Sequence, residues 1–208
     1  MKEKTGIKYL FVDIGGVLLT DGWVQESRKL AAKTFSLNLE ELEKLHNQAF
    51  DTYELGKMTM DEYLNRVVFY KKRLFTPAQF RKFIFDRSKP YPDMIELIRK
   101  LKTIYGLKIV VLSNEVRELN SYRIRKFKLD GFVDFFISSC YVHLRKPDAD
   151  IFRLALDTSQ APVRQVVYIE NTPMFVQIAE GLGIRSIFHS DYTSTCAKLS
   201  TFGLKIAD

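Results

Sequence analysis

Five short, nearly continuous apolar runs, each closed by a polar residue and separated by longer amphipathic stretches, constrain this chain more than any other feature of it. They are Ile7 to Val12, Lys108 to Leu112, Phe132 to Ile137, Gln165 to Ile169 and Ile184 to Phe188. A strand wetted on one face alternates apolar and polar residues, whereas a strand covered on both faces is apolar throughout. Between the runs, Asp93 to Tyr105, Glu115 to Phe127, Pro147 to Thr158 and Pro173 to Leu182 repeat apolar residues at helical spacing. Strand, crossover helix and parallel strand in succession give an α/β fold: a Rossmann-like, five-stranded parallel sheet with helices on both faces.

One interval breaks the rhythm. From Leu19 to Lys89 only helix signals follow one another. Asn38 to Glu41 and Thr59 to Glu62 match the capping box, in which a short polar side chain accepts from the third helical amide and an acidic one reaches back. Thr76-Pro77-Ala-Gln79 adds a proline at the first helical position. The expected organisation is therefore a core formed by residues 1–18 and 89–208, with residues 19–88 inserted as a small α-helical cap. Phe69, Tyr70, Phe75, Phe80, Phe83 and Phe85 are read as packing for that cap rather than as a cofactor box.

Composition removes several function classes. The apolar runs fall far short of the roughly 20 residues that cross a bilayer. Six mostly apolar residues before Asp13 are too few for a signal peptide, so a soluble, cytoplasmic protein with no membrane partner is expected. Cys140 and Cys196 stand far apart with no histidine at ligand spacing, which fits a reducing compartment and argues against zinc. The formal charge is +7, yet the clusters at Lys71 to Arg73 and Arg123 to Lys128 lie on stretches with helical spacing. They read as solvated faces and not as a nucleic-acid interface, although such a surface attracts phosphate-bearing ligands.

In an open parallel sheet, ligands gather outside the carboxyl ends of the strands, so the residues just beyond each run belong together. They are Asp13-Ile-Gly15-Gly16, Ser113-Asn114, the loop residue Lys146 before Pro147, and Glu170-Asn171. Singly, each has a bland reading: a turn, a helix cap or an exposed loop charge. Jointly they supply a nucleophilic carboxylate, a hydroxyl with nearby amides, an ammonium and a second acid, which suits a phosphoryl group. Carboxylate repels phosphate unless positive charge intervenes, so Lys146 and a hard divalent cation held by Asp13 and Glu170 are the partners this chemistry needs.

These four segments resemble the four motifs of the haloacid dehalogenase superfamily, and the resemblance covers essentially the whole chain. The residues are Phe11-Val-Asp13-Ile-Gly15-Gly16-Val-Leu18, Val111-Leu-Ser113-Asn114, Arg145-Lys146-Pro147-Asp-Ala-Asp150 and Val167-Tyr-Ile-Glu170-Asn171. The insertion, including Glu54-Leu-Gly-Lys57, is similar to the helical cap of the subfamily of small-molecule phosphatases, phosphoglucomutases, dehalogenases and the N-terminal domain of soluble epoxide hydrolase. The resemblance implies Asp13 as nucleophile and Mg²⁺ ligand, the Gly15 carbonyl and Glu170 as further ligands, and Lys146 as the charge neutraliser. It also implies Ser113, Asn114 and Gly16 as binders of a small-molecule phosphate substrate.

Two departures bear on function. Family phosphatases usually carry a second Asp two residues after the nucleophile, as acid and base, where this chain has Gly15; Asp21 would replace it if the turn folds back. Glu170-Asn171 stands where two aspartates are usual, and Phe175 where a further Asp or Asn is often found. The leading expectation is a Mg²⁺-dependent phosphatase acting through an aspartyl-phosphate. The alternatives are a phosphate-binding or partner-binding relative with weakened chemistry, and a haloacid dehalogenase. The last is disfavoured because Glu170 repels a haloacid carboxylate and family dehalogenases usually carry Tyr at the Gly15 position. Oligomeric state and substrate identity are not encoded legibly.

Overall fold

The computed structural model describes residues 6–206. Along the chain run β1 (Tyr9–Val12), α1 (Gln25–Thr34), α2 (Leu39–Glu54), α3 (Met60–Val67), α4 (Pro77–Asp86), α5 (Pro92–Tyr105) and β2 (Lys108–Ser113). They are followed by α6 (Arg117–Lys126), β3 (Phe135–Ser138), α7 (Ser139–Val142), α8 (Ala149–Ser159), β4 (Val166–Glu170), α9 (Pro173–Gly181), β5 (Arg185–Phe188) and α10 (Tyr192–Thr201). The strands form one parallel sheet in the order β3-β2-β1-β4-β5. The chain therefore reverses its direction of travel across the sheet at β1, and the crevice beyond the end of β1 is the natural ligand position.

Both faces of the sheet are covered, as the unbroken apolar runs require. Leu10, Val12, Ile109, Val111 and Ile169 pack with Leu97, Ile98 and Leu101 of α5. Phe11, Val110, Leu112 and Tyr168 face the other way, onto Ile151, Phe152 and Ala155 of α8. Burying each such aliphatic side chain contributes about 1.5–3 kcal/mol before entropy is counted. Helices α1–α4 gather around a separate cluster that includes Trp23, Tyr53, Tyr63, Phe80 and Ile84. Val116 and Leu119, at the start of α6, complete that cluster from the sheet side. The helical insertion enters and leaves through adjacent segments, since Thr20 N donates to Lys89 O (2.8 Å) and Tyr91 N to Leu18 O (2.9 Å).

The capping boxes at Thr59 and Thr76 form in full, the latter with Pro77 at the first position. At Asn38 only half forms: its side chain accepts from Glu41 N, while the Glu41 carboxylate turns to Lys71 (2.9 Å). Strand β3 starts at Phe135 rather than Phe132, because the Asp134 carboxylate takes the Ile109 amide (2.8 Å) that an earlier residue would need. Helix α8 starts two residues later than its spacing suggests, because Asp148 is its N-cap and accepts from the Asp150 amide. Helix α6 starts at Arg117 because the Glu115 amide is held by the Ser139 hydroxyl (2.9 Å). Helices α7 and α10 carry no spacing signal strong enough to have been anticipated.

Candidate active site at the end of the central strand

Asp13 follows β1 directly, and its backbone amide continues the ladder to Ile169 O (3.1 Å). Lys146, fully buried, brings its ammonium to Asp13 Oδ2 at 3.1 Å and to Glu170 Oε2 at 2.6 Å, so the two carboxylates share one cation. Its loop is fixed from beneath. Lys146 N donates to Asn114 Oδ1 and Asn114 Nδ2 donates to Lys146 O, each at 2.8 Å. The Asn114 side chain is thus spent on placing the lysine. Tyr168 donates to Glu170 Oε2, and the other oxygen, Oε1, accepts from Thr172 N at 2.9 Å. Phe175 lies 5.0 Å below the ammonium, offering its ring face where a charged neighbour was the alternative.

The charge balance of this nook is uneven. Burial raises the Asp13 carboxyl pKa and the Glu170 charge raises it further; against the pull of Lys146 it stands at about 7. Burial opposes the Lys146 charge, but the carboxylates of Asp13 and Glu170 outweigh it and hold the amine above the usual lysine value. Ser113, 1% exposed, lies beside Asp13 and tempers its pKa, yet its hydroxyl forms no well-directed hydrogen bond among the described residues. A buried polar group left in that state calls for a further partner. Above the nook opens a cavity of about 500 Å³, walled on one side by Asp13, Asn114 and Lys146 and on the other by Trp23, His46 and Phe50 of the helical insertion.

Comparison with known proteins matches residues 7–193 to a family model, that of the haloacid dehalogenase-like hydrolases. The chain belongs to that family. A HAD-like hydrolase of this sequence is 27% identical over 196 residues to drimenol cyclase drtB of Aspergillus calidoustus, covering 88% of this chain and 34% of the relative. It is 25% identical to the bifunctional epoxide hydrolase 2 of Sus scrofa, covering 90% of this chain and 37% of that protein. The chain thus spans about a third of the length of these curated relatives. Among solved structures, a HAD family enzyme bt-2542 from Bacteroides thetaiotaomicron, complexed with magnesium and inorganic phosphate, superposes with a TM-score of 0.75 at 20% identity, over 91% of this chain and 98% of the other. The L-2-haloacid dehalogenase of Xanthobacter autotrophicus superposes at 0.62 with 15% identity, over 96% and 85%. At such identities these structures establish the fold.

Against the HAD-like pattern, the space left open at Gly15 is filled by another carboxylate. A Cβ built on Gly15 would meet Asp21 Oδ1 at 2.8 Å, so the turn does fold back and Asp21 lines the same cavity. Gly16 has φ +68, and a Cβ there would lie 2.5 Å from Asn171 Cγ; glycine is required for the first and fourth motifs to approach. Asn171, with its amide turned to satisfy both partners, donates to Gly15 O (3.3 Å) and to Glu170 Oε1 (3.0 Å). Asp13, Gly15 O and Glu170 Oε1 therefore border one nook of hard oxygen atoms whose net charge, two carboxylates against one ammonium, is negative. Two carboxylates and a carbonyl are hard oxygen donors of the kind a small divalent cation takes, although no three His, Cys, Asp or Glu side chains converge to hold one among the described residues. Tyr168 and the cavity-lining residues Trp23, His46 and Phe50 were not singled out from the sequence. A tyrosine inside an apolar strand and a cap histidine carry no motif of their own.

Proposed function

We propose that this protein is a Mg²⁺-dependent phosphatase of small phosphorylated metabolites, with Asp13 as nucleophile. The observation that carries this reading is the Lys146 ammonium held between Asp13 and Glu170 at the floor of a cavity. In the proposed cycle Asp13 attacks phosphorus, and the ester oxygen departs with the bonding electron pair and a proton from Asp21. Water then attacks the aspartyl-phosphate, gives its proton back to Asp21, and phosphate leaves. Lys146, the Ser113 hydroxyl and the backbone about Asn114 and Gly16 hold the phosphoryl oxygens. Asp13, Gly15 O and Glu170 would hold Mg²⁺, joined by Asn171 once its amide turns oxygen-first; the ion would offset charge on the phosphoryl group.

Residues 19–88 act in this reading as a cap over a core formed by 1–18 and 89–208, choosing the substrate and excluding water. The magnesium and phosphate in the bt-2542 complex support the cofactor and substrate class by analogy. Both cysteines are free, which suits a cytoplasmic location, and no described helix is long and apolar enough to cross a membrane. Dehalogenation is disfavoured, since Asp21 adds negative charge to the cavity wall, Glu170 adds it beside Asp13, and both would repel a haloacid carboxylate. The test is turnover of p-nitrophenyl phosphate with and without Mg²⁺. Hydrolysis that needs the ion and is lost in Asp13→Asn supports the reading; ion-independent hydrolysis, or an active Asp13→Asn, overturns it.

A further inference from the structure

On the part of its wall contributed by α2, the cavity holds a histidine whose hydrogen bonding is settled by its neighbours. His46, on α2, is only 4% exposed and lines the cavity. Trp23 Nε1 lies 2.7 Å from the Tyr63 hydroxyl, which in turn lies 2.7 Å from His46 Nδ1. An indole N–H can only donate, so the Tyr63 oxygen accepts there. Tyr63 is itself buried, and His46 Nδ1 is the acceptor its own proton can reach among the described residues. Leaving that proton unbonded in the core would cost about 1–3 kcal/mol, so the relay runs Trp23 to Tyr63 to His46. Nδ1 then accepts, the ring proton sits on Nε2, and Nε2 makes no hydrogen bond among the described residues. Burial first, and Arg28 second, hold the imidazole pKa down to about 4, so the ring stays neutral.

The charges around this donor point the same way. Arg28 is bound by both oxygens of Glu43 at 2.8 Å, Arg123 by Glu115, and Arg145 by Asp51 and Glu54. Lys146 belongs to Asp13 and Glu170. Every basic side chain lining the cavity is therefore already matched by a carboxylate, and a second anionic group on the substrate would find no unspent cation. The neutral hydrogen-bonding side chains of the wall include Gln25 and Thr172; of these groups His46 is the buried one, fixed by Tyr63 and backed by an aromatic ring, Phe50, whose centroid is 4.4 Å from its own.

Resting on the phosphatase reading, we propose that His46 is a specificity-determining residue. Its Nε2–H receives an oxygen acceptor on the neutral, hydroxyl-bearing part of a phosphate monoester, and the cavity selects such monoesters over substrates with a second anionic group.

Steady-state kinetics with acetyl phosphate, hexose and polyol monophosphates, phosphoglycolate, hexose bisphosphates and pyrophosphate tests this. It is paired with thermal-shift titration of Asp13→Asn by the same compounds, without turnover. The expected result is that a neutral polyol or hexose monophosphate has the highest kcat/KM. His46→Phe should then raise its KM about tenfold with kcat little changed, as losing one buried hydrogen bond would. His46→Gln, which keeps a donor, should stay within a few fold, and acetyl phosphate should be indifferent to both. In the binding arm, the thermal shift given by the monophosphate should vanish when His46→Phe is added to Asp13→Asn. The proposal is overturned if phosphoglycolate, a bisphosphate or pyrophosphate is preferred, or if His46→Phe leaves both KM and the thermal shift unchanged. Absence of any turnover of acetyl phosphate would sink the phosphatase reading alone, because the binding arm still decides the His46 assignment.

Discussion

The carboxylate of Asp21 occupies the space that a side chain at Gly15 would fill, its Oδ1 lying 2.8 Å from where the Cβ would be. In the proposed reaction the acid that family phosphatases usually carry two residues after the nucleophile is supplied instead from Asp21, eight residues after Asp13. Asp21 is exposed at the cavity mouth, yet the protein around it desolvates its carboxyl enough to raise the pKa more than Arg123 lowers it. Asp21→Asn should lower kcat by ~10²- to 10⁴-fold on alkyl phosphates and much less on acetyl phosphate, whose leaving group needs no proton. Gly15→Asp alone should bring little gain, because its Cβ displaces the Asp21 carboxylate, 2.8 Å away, and puts one acid in the place of another. Gly15→Asp combined with Asp21→Gly should recover part of the alkyl-phosphate rate. Steady-state kinetics on the two substrate types check all three.

Lys146→Met leaves two buried carboxylates facing each other without their counter-ion. A broken buried pair typically costs ~3–5 kcal/mol, and urea denaturation at pH 8 should show a loss of that order. At pH 5.5 the loss should shrink, since Asp13, with a pKa near 7, is then protonated in the folded protein.

Glu54, at the end of α2, is 7% exposed, and burial lifts its pKa from 4.5 to about 7 despite the nearby Arg145. A carboxyl whose folded pKa exceeds its unfolded one favours the folded state most when protonated. Its contribution is complete below pH ~4.5 and is lost as pH rises through ~7. Glu54→Gln should remove this slope, flattening stability against pH by up to about 3 kcal/mol between pH 4.5 and 8. Denaturation midpoints across that range give the difference directly.

Gly56 ends α2 with φ +68, and a Cβ there would lie 2.0 Å from Cys140 O. Gly56→Ala should destabilise by at least about 2 kcal/mol, a fall in Tm of roughly 4–8 °C. Gly131→Ala meets nothing within 4 Å and should stay within about 0.5 kcal/mol. Calorimetry on the two variants separates backbone constraint from the general effect of adding a methyl group.

The sheet and the charged floor of the site were legible because each depends on residues next to one another in the chain. A strand covered on both faces announces itself as an apolar run, and the residue closing it must sit at the carboxyl end. Asp13, Ser113 and Glu170 followed from that, Lys146 entered as a loop residue before a proline that matched the third motif, and Asp21 followed as a conditional. The upper half of the cavity did not. His46, Tyr63 and Trp23 are brought together by the packing of three separate segments, and nothing in their spacing distinguishes a polar relay from ordinary core aromatics. The side chain of Asn114 was legible as a group at the rim, but its partner, the backbone of Lys146, is set by a loop conformation that spacing does not encode.

In the proposed reaction Asp13 takes up the phosphoryl group. Rapid acid quench of the Mg²⁺-loaded protein during turnover of acetyl phosphate, followed by peptide mapping, tests it most directly. A phosphoryl group on Asp13, absent from Asp13→Asn, is the result this account predicts. Steady hydrolysis with no covalent phosphate at any quench time, or with the label on another residue, would contradict it.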